Sequence, residues 1–129
     1  MPSPSVVLDA SALLALVNAE PGGDDVAALM AQAAISSVNW CEVYGKLRAV
    51  GVDGALLAGE LAETGIAVVP FDDYDARAAG ELLLATREVG LSLADRACLA
   101  LAQRLGVPAV TADRTWAGLD VGVDVTCIR

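Results

Sequence analysis

The stretch from Leu91 to Trp116, LSLADRACLALAQRLGVPAVTADRTW, decides how the chain is read. Ser92 is placed to cap a helix, with Asp95 three residues on where a capping carboxylate sits, and a run of Ala and Leu carries the helix to Leu105. Gly106 stops it and Pro108 cannot continue it. Ala109 and Val110 form a short apolar strand, which Thr111-Ala112-Asp113 closes with a hydroxyl and a carboxylate. A buried helix, a glycine stop, a strand and an acidic turn are the parts of an α/β layer structure, with acids at the ends of neighbouring elements.

The same grammar runs outward from this stretch. Val6-Val7-Leu8 is a β-branched strand ending in Asp9, and Ala10 to Leu16 is helical, with Ser11 in its first turn. Taken alone, Asp9 or Ser11 reads as a helix cap. After the turn Glu20 to Asp25 come a helix over Val26–Ala33, a brief strand over Ala34–Ser36 and a helix over Val38–Val50. The apolar stripe of that third helix is Trp40, Val43, Tyr44, Leu47 and Val50, which puts Glu42 on its flank with Lys46 as its i+4 partner. A helix over Ala55–Thr64 is stopped by Gly65, Ile66–Val69 is the plainest strand in the chain, and a helix over Tyr74–Val89 is stopped by Gly90. Asp72, Asp73 and Asp75 complement that helix N-terminus and read as structural. A last edge strand is expected within Val121–Ile128. Strands alternating with helices predict a three-layer α/β/α domain around a central parallel sheet, in one unit spanning residues 1–129.

Composition removes several chemistries. The 129 residues contain no histidine, which excludes Ser-His-Asp and Cys-His mechanisms and leaves oxygen as the ligand for any metal. Cys41, Cys98 and Cys127 form no Cys-x-x-Cys pair and are expected to be buried, inert thiols. A single lysine, Lys46, leaves little room for a Schiff base or a Ser-Lys dyad. Net charge is -9, so a nucleic-acid partner requires divalent cations to screen the acids. Met1 to Ser5 carries no basic residue ahead of an apolar run, and no apolar stretch approaches the ~20 residues of a membrane span, so a cytoplasmic protein without membrane association is expected.

In an open parallel sheet, ligands gather outside the carboxyl ends of the strands where strand order reverses. Asp9 and Asp113 end strands, Asp95 opens the helix before the strand leading to Asp113, and Glu42 lies on the helix after the second strand. Carboxylates converging with no histidine among them repel one another unless cations sit between them, the arrangement that holds Mg²⁺ or Mn²⁺ against phosphate oxygens.

On Leu8-Asp9-Ala10-Ser11, Glu42 within Ser37-Val38-Asn39-Trp40-Cys41-Glu42-Val43, Leu91-Ser92-Leu93-Ala94-Asp95-Arg96 and Val110-Thr111-Ala112-Asp113-Arg114, the chain resembles PIN-domain nucleases, and among them the toxin ribonucleases of VapBC-type toxin-antitoxin pairs. The resemblance covers essentially the whole chain. It implies a PIN-like fold and a Mg²⁺- or Mn²⁺-dependent endoribonuclease cutting translation-related RNA. Asp9, Glu42, Asp95 and Asp113 would be the catalytic and metal-holding residues, in a homodimer inhibited by an antitoxin protein. Ser11 and Thr111 are then candidates to orient water, and Arg96 and Arg114 to clamp phosphate. Two rival readings stand beside it. An aspartate-based phosphoacceptor or phosphatase also ends its first strand in Asp, but here Ala10 follows Asp9 and no lysine follows Lys46. A non-catalytic PIN-like binding module keeping the acids for stability is the other.

Overall fold

A computed structural model describes residues 3–129. Met1 and Pro2, the start of the N-terminal stretch read above for a targeting signal, lie outside the described residues. The elements are β1 (Val6–Leu8), α1 (Ala10–Val17), α2 (Gly23–Leu29), a 3-10 turn (Met30–Gln32), β2 (Ala33–Ser36) and α3 (Ser37–Ala49). They continue with α4 (Gly54–Glu63), β3 (Ala67–Val69), α5 (Asp73–Ala85), α6 (Leu93–Leu105), β4 (Ala109–Thr111), a 3-10 turn (Arg114–Trp116) and β5 (Val125–Cys127). The five strands form one parallel sheet in the order β3-β2-β1-β4-β5. The chain builds outward from β1 through β2 to β3, then returns to place β4 on the other side of β1, so strand order reverses between β1 and β4.

Period-two alternation distributes the core over both faces of this sheet. Leu8, Ile35 and Val110 join Leu13, Val26, Val43 and Leu47 in one cluster, while Val7, Ala34 and Ala109 join Ala79, Leu82, Leu99, Leu101 and Trp116 in the other. The expected three layers are therefore present, with small residues on the face that receives α6. Six consecutive residues of α6, Ala97 to Ala102, are buried, so the middle of this helix is enclosed on all sides. Its ends are fixed as the sequence suggests. Ser92 and Asp95 form a reciprocal capping box, and Gly106 takes the left-handed conformation (φ 67°) that a glycine adopts without strain. Gly23 matters for a different reason, since a Cβ there would lie 2.5 Å from the Ala15 carbonyl oxygen where α2 crosses α1.

Several boundaries differ from expectation. The fifth helix ends at Ala85 rather than Val89: Thr86 is its C-cap, with its buried hydroxyl donating to the Leu82 carbonyl (2.7 Å), and the chain turns through to Gly90. Only Val125–Cys127 of the last expected strand pairs with the sheet, since Gly122 takes a positive φ (71°) and the Val121 carbonyl accepts from Gln103. Asp72 caps α5, and Asp75, 1% exposed, forms a two-point ion pair with Arg104 at 2.8 and 3.0 Å, as a structural role requires. The thiols are not all buried: Cys98 is, Cys127 is partly so, and Cys41 is exposed. Among the described residues no helix is long and apolar enough to cross a membrane.

Candidate active site

Register sets the site. Leu8 pairs with Ile35 on one side and Val110 on the other, so Asp9, Ser36 and Thr111 leave the sheet at one level beside the reversal point. Asp9 caps α1 in extended backbone conformation. Its Oδ1 accepts from the Ala12 N–H (2.8 Å) and the Ser11 hydroxyl (2.7 Å), and its Oδ2 accepts from the Thr111 hydroxyl (2.5 Å). Ser11 Oγ accepts in turn from the Ala112 N–H (2.9 Å), and Thr111 Oγ1 from the Asp113 N–H (3.0 Å). Capping and site-building are thus one network, which ties the end of β1 to the end of β4. Burial pushes the Asp9 carboxyl above its ordinary value. Its bonds from Thr111, Ala12 and Ser11 partly offset the rise, and the charge of Asp95 adds the least.

The other three acids are held by one oxygen each. Asp95 Oδ2 accepts the Ser92 N–H (3.0 Å) in the capping box. Asp113 Oδ1 accepts from the N–H (2.9 Å) and hydroxyl (2.7 Å) of Thr115. Glu42 Oε2 meets Lys46 Nζ at 3.4 Å, the i,i+4 pair anticipated from spacing. All four acids, with Ser11, line a cleft of about 280 Å³ that also takes in Asn18, Glu20, Asn39, Lys46 and Arg129. Five carboxylates face two cations there, and both cations already touch acids, since Arg129 lies 3.7 Å from Glu20.

Arg96 and Arg114, expected to clamp phosphate, do not line this cleft. Arg96 Nη1 donates to the Ala79 carbonyl of α5 (2.9 Å), and Arg114 Nε to the Arg129 carbonyl (2.9 Å). The cations that do line it are Lys46 and Arg129. Asn39, like Asn18 and Glu20, lines the cleft without having been singled out from sequence. It is 1% exposed, its Nδ2 donates to the Ala94 carbonyl (3.0 Å), and its Oδ1 is buried without a partner. Its spacing of four before Val43 placed it on the buried face, a signal that a purely apolar stripe overlooks.

A lining of oxygen donors and no imidazole suits a hard divalent cation, and Asn39, whose amide oxygen is left without a partner, shares that lining with the four carboxylates. Among the described residues, however, no three carboxylates or thiols stand as a ready-made set of metal ligands.

A family model described as "PIN domain" matches residues 6–121. Comparison with curated protein sequences finds no match. Solved structures with the same fold include a toxin-antitoxin complex from Klebsiella pneumoniae (23% identity, TM-score 0.76, covering 97% of this chain and 98% of that one). DNA-bound VapBC from Salmonella typhimurium is similar at 16% identity and TM-score 0.74, covering 98% and 99%. The Mycobacterium tuberculosis sarcin-ricin loop cleaving toxin VapC20 is similar at 24% identity and TM-score 0.72, covering 93% and 99%. At these identities the likeness is one of fold.

Proposed function

The chain belongs to the PIN-domain family, and from that premise we propose that it is a divalent-cation-dependent endoribonuclease, the toxin of a toxin-antitoxin pair, working in the cytoplasm as one nuclease domain spanning residues 1–129. The observation that carries this reading is the gathering of Asp9, Glu42, Asp95 and Asp113 on one cleft at the reversal point of a parallel sheet. Its support in kind comes from the solved relatives, whose descriptions include toxin-antitoxin complexes and a toxin that cleaves the sarcin-ricin loop. RNA of the translation machinery is the corresponding substrate class.

Asp9, Glu42, Asp95 and Asp113 would hold Mg²⁺ or Mn²⁺, which when bound supplies positive charge to a phosphodiester and lowers the pKa of water for in-line attack. The chain's own groups do the rest. Ser11 and Thr111 hold the Asp9 carboxylate in one orientation; Thr111 is fully buried behind it, and Ser11, which lines the cleft, is the hydroxyl placed to orient water there. Lys46 and Arg129 offer the positive charge that a backbone phosphate meets on entering. No side chain need act as nucleophile. Burial, then the charges of Asp9 and Asp95, push the Cys98 thiol well up and keep it protonated.

An antitoxin is the expected partner, with an arginine among the carboxylates and the rest of its contact along apolar surface. An apolar groove of about 230 Å³, lined by Leu13, Leu16, Val17, Met30, Leu57 and Leu61, runs along α1 and supports this. We take the active form to be a homodimer.

Incubating the purified protein with total RNA in Mn²⁺, Mg²⁺ or EDTA and mapping new ends tests the reading. Discrete ends with either cation and none in EDTA are expected. The Glu42–Lys46 pair and the lack of a ready-made ligand set favour a second reading, a non-catalytic PIN-like binding module. That module would retain RNA and yield no new ends under any condition.

A further inference from the structure

Asn39 stands out among the polar groups of the core. A buried acceptor left without a donor costs about 1–3 kcal/mol, and Asn39 Oδ1 is such an acceptor in a side chain 1% exposed. Its other end is satisfied. Nδ2 donates to the Ala94 carbonyl, one residue before Asp95, so the side chain joins α3, which carries Glu42, to the first turn of α6, which carries Asp95. That bond also fixes which amide atom is oxygen, because only nitrogen can donate to a carbonyl. Asn39 lines the same cleft as the four acids.

Resting on the cation-site reading above, we propose that Asn39 is a fifth member of that site, whose Oδ1 is the neutral oxygen accepting from the hydration shell of the bound cation. A neutral oxygen has a physical advantage here. A further carboxylate at this depth would add repulsion to a group already crowded, whereas an amide oxygen offers a hard acceptor with no net charge. Magnesium keeps several of its waters when it binds protein, and those waters need acceptors. The bond to Ala94 holds the amide so that its free oxygen is presented in one orientation, as the groups supporting a metal site generally do.

The test is Mn²⁺ affinity of the purified protein, read by water-proton relaxation or calorimetry without RNA, for wild type, Asp9→Asn, Asn39→Ala and Asn39→Leu. Asn39→Leu removes both polar ends and fills similar volume, so the fold should persist, as a thermal melt without the ion would show. The proposal expects both Asn39 variants to bind Mn²⁺ about ten- to a hundredfold more weakly than wild type. Asn39→Asp, which keeps an oxygen but loses the bond to Ala94, should melt lower than wild type yet bind more tightly than Asn39→Ala. If Asn39→Leu melts like wild type and binds Mn²⁺ equally well while Asp9→Asn does not, Asn39 is only a clamp between α3 and α6 and the proposal is overturned with the carboxylate site intact. If wild type binds no Mn²⁺, or Asp9→Asn binds it as wild type does, the cation-site reading falls and this proposal with it.

Discussion

Asp9 and Glu42 line one cleft but are held in opposite ways. Asp9 is 4% exposed, accepts from three donors and connects two strands through Ser11 and Thr111. Glu42 keeps 38% of its side-chain surface in solvent, and its one ion-pair partner is Lys46, itself 60% exposed. One wall of the site is built by the fold, while the other is a half-exposed side chain on the flank of α3. The contrast with Asp75 sharpens this. It is more buried than either, yet both its oxygens are spent on Arg104, so depth alone does not make a carboxylate available. What distinguishes Asp9 is that its donors are hydroxyls and a backbone amide, which leave its negative charge uncompensated.

The largest effect should be on RNA cleavage. Replacing Asp9 by Asn should cost about 10³-fold in rate, corresponding to the several kcal/mol a cation supplies to a phosphoryl transition state. Thr111 can accept from the new amide and donate to Ser11, so circular dichroism should show the fold retained. Glu42→Gln should lose comparable activity if the exposed wall also holds the cation. Cleavage by Glu42→Gln at wild-type rate would restrict the site to the built wall.

Next in size is Asp75→Ala, expected to lower unfolding free energy by about 2 kcal/mol in urea by removing the two charge-assisted hydrogen bonds to Arg104, whose guanidinium water can then reach. Its cation response should be unchanged. A loss of Mn²⁺ binding in that variant would contradict its separation from the site.

A smaller effect concerns pH. Because the folded-state value for Asp9 lies above the ordinary 3.8, the folded protein holds this proton more tightly than the unfolded chain. The stability it contributes is full below that value and is lost as pH rises through the raised one. Denaturation midpoints of wild type should therefore fall relative to Asp9→Asn between pH 4 and neutrality. Parallel curves would remove burial as the dominant influence on this carboxyl.

The smallest effect belongs to the exposed pair. Lys46→Met should leave the melting temperature within about 1 °C and tighten Mn²⁺ binding about twofold by freeing Glu42, since a screened surface pair contributes at most about 0.5 kcal/mol. Weaker binding would show that Lys46 supports Glu42 instead of competing for it.

Local chemistry made much of this legible in sequence. Ser92, Asp95 and Gly106 mark both ends of α6, and strand-acid turns mark Asp9 and Asp113. Hydrophobic pattern was a poorer guide to depth. Ile66–Val69 is the plainest strand by composition yet β3 is an edge strand with Val68 42% exposed, while the buried β2 begins with two alanines. The apolar stripe predicted for the third helix includes Tyr44 and Val50, yet both are exposed, while α3 buries the polar Asn39. Arg129 reaches the cleft through Glu20 and the Pro21 carbonyl, a contact across the whole chain that no local pattern encodes.

Whether these carboxylates form a divalent-cation site is read from the thermal midpoint of wild type and Asp9→Asn as Mn²⁺ is added. A cation binding only the folded state contributes about 2.7 kcal/mol at a hundredfold excess over its dissociation constant. For a domain of this size that is a rise of about 5 to 15 °C in wild type, which should shrink sharply in Asp9→Asn. A wild-type midpoint unmoved at millimolar Mn²⁺, or an equal rise in the variant, would contradict such a site.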